Sequence, residues 1–425
     1  MQRRFTPRCY PLLLLLGLNF SVGLVLQRPE AVLVALPFLA ALLLDVCLSS
    51  PPHLQLRYQK LPAVLYEGES CQGGLEITAT TPLPLLEMEA LLPAGFTCVG
   101  GQQGVVLSLP AGASYRLRFT AQAQHRGRWI WGSVLLRSYS SGGLIAYEGQ
   151  WQAPQTCLVY PQLAFLRRAV LPRHTQLFSG DSVSRRAGEG IEFSTLRPYV
   201  PGDVTRAINW RASLRRGQLH VNQYAQEHNA DVVLLLDTLS NAGSARVNTL
   251  DCCVRAAASL AAASLRRRDR VGLIEYSGVW SWVPPASGRR QLLRLLERLA
   301  VAQVHLSYVR RELSLLPPRI LPPQALVVAL SPLIDERFSA ALADLAGRGF
   351  DVLLLSLSPA AVLRATVATT PLDAVACQWW ELEHRARLQA MRRLGITVLS
   401  WHVEEPLAVV VQRVLQTCRR RRQPC

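Results

Sequence analysis

The strongest constraint on this chain lies at its start, where two apolar stretches, residues 11–26 and 31–48, flank a short polar break containing Arg28, Pro29 and Glu30. At 1.5 Å per helical residue, each stretch is near the lower limit for crossing a hydrocarbon core of about 30 Å. The expectation is a two-helix transmembrane hairpin over residues 1–52, made antiparallel by the short turn. Arg3, Arg4 and Arg8 precede the first stretch and Arg57 and Lys60 follow the second, against Arg28 alone in the turn. The positive-inside rule then puts both flanks in the cytoplasm. The expected location is the cell inner (plasma) membrane, multi-pass, with the soluble domains cytoplasmic. A cleaved signal peptide also starts basic and apolar, but the second stretch and the lack of a small-x-small site after Leu26 argue against it.

The formal net charge is +17, and Lys60 is the only lysine among 46 basic residues. Arginine is always charged and pairs with carboxylate, phosphate and lipid headgroups, so membrane lipid or an acidic protein face is the expected partner. No aromatic-rich RNA-binding or helix-turn-helix pattern accompanies the charge, and nucleic acid is not expected. A P-loop ATPase needs Gly-Lys-Ser/Thr, and the one lysine sits in Arg57-Tyr58-Gln59-Lys60, so that class is excluded. H-E-x-x-H, G-x-S-x-G and a G-x-G-x-x-G after a strand are also missing. The ten cysteines show no C-x-x-C spacing and read as reduced thiols.

From residue 53 to 155, short alternating stretches such as 74–78 and 114–119 are separated by Pro and Gly clusters, the pattern of an antiparallel sandwich. Residues 156–227 form an Arg-rich segment. Across residues 228–418, continuous apolar strands trade places with helical stretches. That rhythm predicts an α/β class with a doubly wound, mainly parallel sheet and its ligand site at the carboxyl ends of the strands. A basic tail, residues 419–425, closes the chain.

The densest motif lies in the Arg-rich segment. Arg197, Tyr199, Pro201, Gly202, Asp203, Arg206, Ile208, Trp210, Ala212, Ser213 and Arg215 fall at fixed spacing, with Asn209 and Leu214 between them. This resembles the signature of the DUF58 family, roughly R-x-Y-x-P-G-D-x-x-R-x-I-x-W-x-A-S-A-R. Asn209 stands where the family usually has Asp, and Leu214 where it usually has Ala. Ser140-Ser141-Gly142-Gly143-Leu144 is a further departure, at a place where such proteins commonly carry Asp-Pro-Phe-Gly-Leu. The resemblance implies a membrane hairpin, a β-rich domain, the signature and a von Willebrand A-like domain in that order. It also implies partnership with MoxR-type AAA+ ATPases in the assembly or maturation of other proteins, client membrane proteins among them.

Two roles fit the signature. Arg197, Asp203, Arg206 and Trp210 form an internal ion-pair and packing network, or Arg197, Tyr199, Pro201, Gly202, Asp203, Arg206, Trp210, Ser213 and Arg215 meet a partner directly. The A-like resemblance further points to a metal motif at Asp237-Thr238-Leu239-Ser240-Asn241, with Ser331 and Asp335 on a later loop. Mg²⁺ takes oxygen ligands, and Leu239 supplies none where a serine hydroxyl is expected. Asp237, Asn241, Ser331 and Asp335 are the candidate ligands of this degraded site, with no other cofactor expected. The reading is a non-enzymatic, membrane-anchored adaptor or scaffold without catalytic residues. The alternatives are a metal-dependent ligand-binding A-domain protein and an unrecognised hydrolase.

Overall fold

The computed structural model describes residues 1–27, 29–163, 183–200, 205, 208–227, 231–305, 309, 312–366, 370–402, 405–406 and 408–409. Pro201, Gly202, Asp203 and Arg206 of the signature, and the basic tail at 419–425, lie outside the described residues. The chain divides into two units, Met1–Tyr160 and Pro161–Cys425.

The first unit opens with β1 (Gln2–Phe5), α1 (Cys9–Val25) and α2 (Pro29–Leu48). Nine strands follow: β2 (Leu54–Tyr58), β3 (Val64–Tyr66), β4 (Ser70–Ala79), β5 (Leu83–Leu91), β6 (Phe96–Gly101), β7 (Gly104–Leu109), β8 (Ser114–Ala123), β9 (Gly127–Tyr139) and β10 (Ile145–Tyr160). One sheet runs β1-β10-β9-β5-β7, with β3 on β10, and the other runs β2-β4-β8-β6. Period-two alternation turns Leu75, Ile77, Leu117 and Phe119 of one sheet, and Leu86, Met88, Val134 and Leu136 of the other, into a shared core. Trp131 and Phe96 meet edge to face within it, with ring centroids 4.5 Å apart.

The expected membrane hairpin is corrected by the helices themselves. Among the described residues no helix is long and apolar enough to cross a membrane. The 17 residues of α1 reach about 25 Å at the helical rise, short of the hydrocarbon core. In α2 the apolar run between Glu30 and Asp45 is residues 31–44, about 21 Å long. Asp45 is also not a solvated end residue. Its carboxylate is buried and accepts hydrogen bonds from Ser140 Oγ (2.6 Å), the Gly142 amide (2.8 Å) and the Leu144 amide (3.1 Å). Thr6 Oγ1 donates to the Gly143 carbonyl at 2.7 Å, and β1 pairs antiparallel with β10. Both ends of the hairpin are thereby bonded to the sandwich, and a multi-pass placement at the inner membrane is not supported.

The second unit begins with an antiparallel ribbon of β11 (Val183–Pro198) and β12 (His220–Glu227), with α3 (Trp210–Arg216) between them. There follow β13 (Asp231–Asp237), α4 (Thr249–Arg266), β14 (Arg270–Tyr276), β15 (Ser281–Ala286), α5 (Arg289–Ala300), β16 (Leu326–Ser331), α6 (Glu336–Gly347), β17 (Asp351–Leu357), α7 (Pro359–Thr366), α8 (Pro371–Arg393) and β18 (Thr397–Trp401). The sheet order is β15-β14-β13-β16-β17-β18, parallel except for β15. Every residue of β13 is buried, as a strand covered on both faces requires. Val233 and Leu235 pack with Phe338, Leu342 and Leu388 of α6 and α8, and the alternate residues Leu234 and Leu236 face the other side. The chain order turns back at β13, whose sequence successor β14 lies on one side and β16 on the other. Across the described residues strand pairing is mainly antiparallel. The class is therefore mixed α/β with sandwich-like sheets, in place of the α/β chain with a transmembrane hairpin that the sequence suggested.

Candidate functional site

The signature places its residues on two sides of the short helix α3. Asn209 caps it, accepting from the Ala212 amide at 3.0 Å, while its Nδ2 donates to Asn222 Oδ1 at 2.8 Å. Gly217 ends the helix in the left-handed region at φ 67°. Ser213 is buried beneath α3: its hydroxyl donates to the Asn209 carbonyl at 2.8 Å and accepts from the His220 amide at 2.9 Å. His220, also buried, carries Nδ1 2.8 Å from the Gln218 carbonyl. These bonds tie α3 to the start of β12.

The opposite side is bare. Trp210 is 62% exposed and Leu214 85%, one helical turn apart. Arg211 and Arg215 form the adjacent exposed row, with Arg216 beside them. Most of the Trp210 side chain is therefore open to solvent. Arg197 lies in β11 opposite Val221, and the Tyr199 amide donates to the Leu219 carbonyl at 2.8 Å. Sequence reasoning named Trp210, Ser213 and Arg215 but missed Asn209 and His220 as anchors and Arg211 and Leu214 as displayed groups. The signal for Asn209 was present, because Asn directly before a helix is a preferred cap.

The candidate metal ligands sit at the carboxyl ends of β13 and β16, where an open α/β sheet places its crevice. Asp237 Oδ2 accepts from Ser331 Oγ at 2.5 Å, and Oδ1 accepts from the Leu239 amide at 3.0 Å. Burial pushes the Asp237 carboxyl up to about 7, against the lowering effect of those two donors. The other two candidates are committed elsewhere. Asn241 Oδ1 accepts from Thr249 Oγ1 (3.1 Å) and the Leu250 amide (3.0 Å) at the start of α4. Asp335 caps α6 and is gripped by the Arg337 guanidinium at 2.6 and 2.9 Å, which holds its carboxyl below the usual range. Leu239 is buried and apolar. Among the described residues no group of three or more His, Cys, Asp or Glu could hold a metal ion. Mg²⁺ needs an octahedral set of oxygens, and these four residues do not fit it.

A polar row continues from Ser331 into the fold. Ser356 Oγ donates to the Ser331 carbonyl at 2.9 Å and lies 3.5 Å from His384 Nε2. Burial lowers the His384 pKa, with Glu381 opposing. Ser356 has no exposed surface and His384 4%, so this Ser–His pair is sealed from a substrate.

Residues 195–359 match the family described as "Protein of unknown function DUF58". The chain is 25% identical over 260 residues to the uncharacterized protein YeaD of Bacillus subtilis, a match covering 59% of this chain and 64% of that one. It is 28% identical over 138 residues to the uncharacterized protein Rv1480 of Mycobacterium tuberculosis, covering 32% of this chain and 44% of that one. The matches thus span less than two thirds of these relatives' own lengths. The cupredoxin domain of amoB from Nitrosocaldus yellowstonii aligns with 26% of this chain and 88% of its own at 8% identity, with a TM-score of 0.19, too low to carry an argument. The matched residues 195–359 run from the end of β11 across α3 and into the parallel sheet as far as β17, and over that span the chain is similar to the DUF58 family.

Proposed function

We propose that this protein is a non-enzymatic adaptor that docks an acidic face of a partner protein on α3. The partner in this reading is a MoxR-type AAA+ ATPase acting in the assembly or maturation of other proteins. One observation carries it: Trp210 and Leu214 stand exposed beside Arg211 and Arg215 on a helix held from beneath by Asn209 and Ser213. Tryptophan and arginine dominate interface energetics, and a pre-fixed helix loses little freedom on binding. The von Willebrand A-like sheet serves here as a cation-free scaffold, since its carboxyl-end residues are bonded to one another and to Arg337. The sealed Ser356–His384 pair supports the non-enzymatic part of the reading.

The test is co-purification of the full-length chain with the ATPase, in wild-type form and as Trp210→Ala with Leu214→Ala. Recovery with wild type and its loss in the double variant is expected. Failure of the wild type to recover the ATPase, or undiminished recovery by the variant, would sink the proposal.

A further inference from the structure

The outer face of the β2-β4-β8-β6 sheet carries a groove with glycines in its lining. Gly74 occupies an outward position of β4 between Gln72 and Glu76, opposite Arg118 of β8. Glycine inside a strand weakens it, and such positions mark close approach by a ligand or another backbone. A Cβ at Gly74 would lie 2.4 Å from Gln59 Oε1, and one at Gly101, where φ is +79°, 2.5 Å from the Arg118 carbonyl. These glycines thus make room for the Gln59 side chain and the Arg118 backbone, and the groove they line has a volume of about 710 Å³, within the range of small-molecule sites.

Its charge is one-sided. Arg57, Lys60, Arg116 and Arg118 line it against Glu76 alone. Glu76 is opposite Arg57 and Arg116 on one rung and pairs with Arg116 at 2.8 Å. Arg57, Lys60 and Arg118 have no carboxylate partner among the described residues. Met1–Tyr160 holds 11 Lys and Arg against 8 Asp and Glu, a net of 11 − 8 = +3. The groove's own excess, 4 − 1 = +3, equals that whole amount. The single lysine of an otherwise arginine-only chain stands at its end.

We propose that this groove binds a small molecule bearing two linked phosphate groups, held by Arg57, Arg118 and Lys60 over the Gly74 floor. Same-face rungs are about 7 Å apart along a strand, so the three cations converge on an area that two phosphates fill. The guanidinium forks match phosphate oxygens in paired hydrogen bonds, and the lysine adds a mobile point charge. A single carboxylate would leave two cations unanswered. The aromatic side chains at the groove, Tyr58 and Phe119, are both buried, so no stacking wall selects a planar ligand.

Calorimetric titration of the full-length chain with inorganic pyrophosphate and with orthophosphate, at physiological salt, tests this. Pyrophosphate is expected to bind at least about tenfold tighter than orthophosphate. Arg118→Ala and Gly74→Val are each expected to weaken pyrophosphate at least about tenfold, the first through charge and the second through shape alone. Circular dichroism checks that both variants fold, and Arg118→Ala decides the matter if Gly74→Val does not. Wild-type affinity in Arg118→Ala, equal affinity for the two anions, or no binding at all would overturn the proposal.

Discussion

Replacing Ser213 by Ala should loosen α3 without touching anything it displays. The substitution removes the hydroxyl that accepts from the buried His220 amide at 2.9 Å, and Ala offers no replacement. An orphaned buried donor costs about 1–3 kcal/mol. The better helix propensity of Ala returns about 0.5 kcal/mol. The donor bond from Ser213 Oγ to the Asn209 carbonyl is less consequential, because the Ser213 amide already bonds that oxygen at 2.9 Å. A net loss of about 0.5–2.5 kcal/mol corresponds to about 2- to 70-fold faster opening at this contact. Native-state hydrogen exchange at the His220 amide reads it directly and avoids treating a chain of two units as two-state. Trp210→Ala should leave that rate within about twofold, because the ring is largely exposed. Unchanged exchange in Ser213→Ala, or equal acceleration in Trp210→Ala, would refute the division into anchoring and displayed residues.

Asp45→Ala should cost about 3–5 kcal/mol, because it orphans the Ser140 hydroxyl and the Gly142 and Leu144 amides together. Faster limited proteolysis at residues 140–144 is the readout. The folded Asp237 carboxyl titrates at about 7, raised above its ordinary 3.8, so between those values the folded state keeps a proton that the unfolded chain has lost. The associated stability is fully present below the unfolded value and is lost as pH rises through about 7. The parallel-sheet unit should therefore weaken from about pH 4 to about pH 7 in denaturant titrations and level off above that, and Asp237→Asn should flatten that dependence. Millimolar Mg²⁺ should leave the thermal midpoint unchanged in wild type and in Leu239→Ser alike, since Arg337 still occupies Asp335. A rise of several degrees in either would contradict the account of that site.

Local pattern made parts of this chain legible and long-range bonding hid the rest. Residues 114–119 read as strand because only one of their faces is dry, and residues 231–237 because both are. The place of Asp237 at a strand end followed from the same apolar run. What Asp237 does there did not follow, because Ser331 is 94 positions away and the claim of Arg337 on Asp335 needs three-dimensional geometry. The same holds for Asp45. Its polar partners lie 95 to 99 positions along the chain, so in sequence it looks like the solvated end of an apolar span. Hydropathy reports how apolar a stretch is and not where its helix is tethered. In sequence Trp210 fits an internal packing network and a partner contact equally, and its exposure follows only from Ser213 and Asn209 taking the inward side of α3.

The adaptor account rests most directly on the charge beside Trp210. Its test is the dissociation constant of the ATPase for the full-length chain, wild type against Arg211→Glu with Arg215→Glu, at low and at physiological salt. The account predicts at least about thirtyfold weaker binding for the reversed pair, equivalent to about 2 kcal/mol, and a salt dependence that is strong in wild type and lost in the variant. Equal affinity of the two chains at both salt concentrations would contradict it.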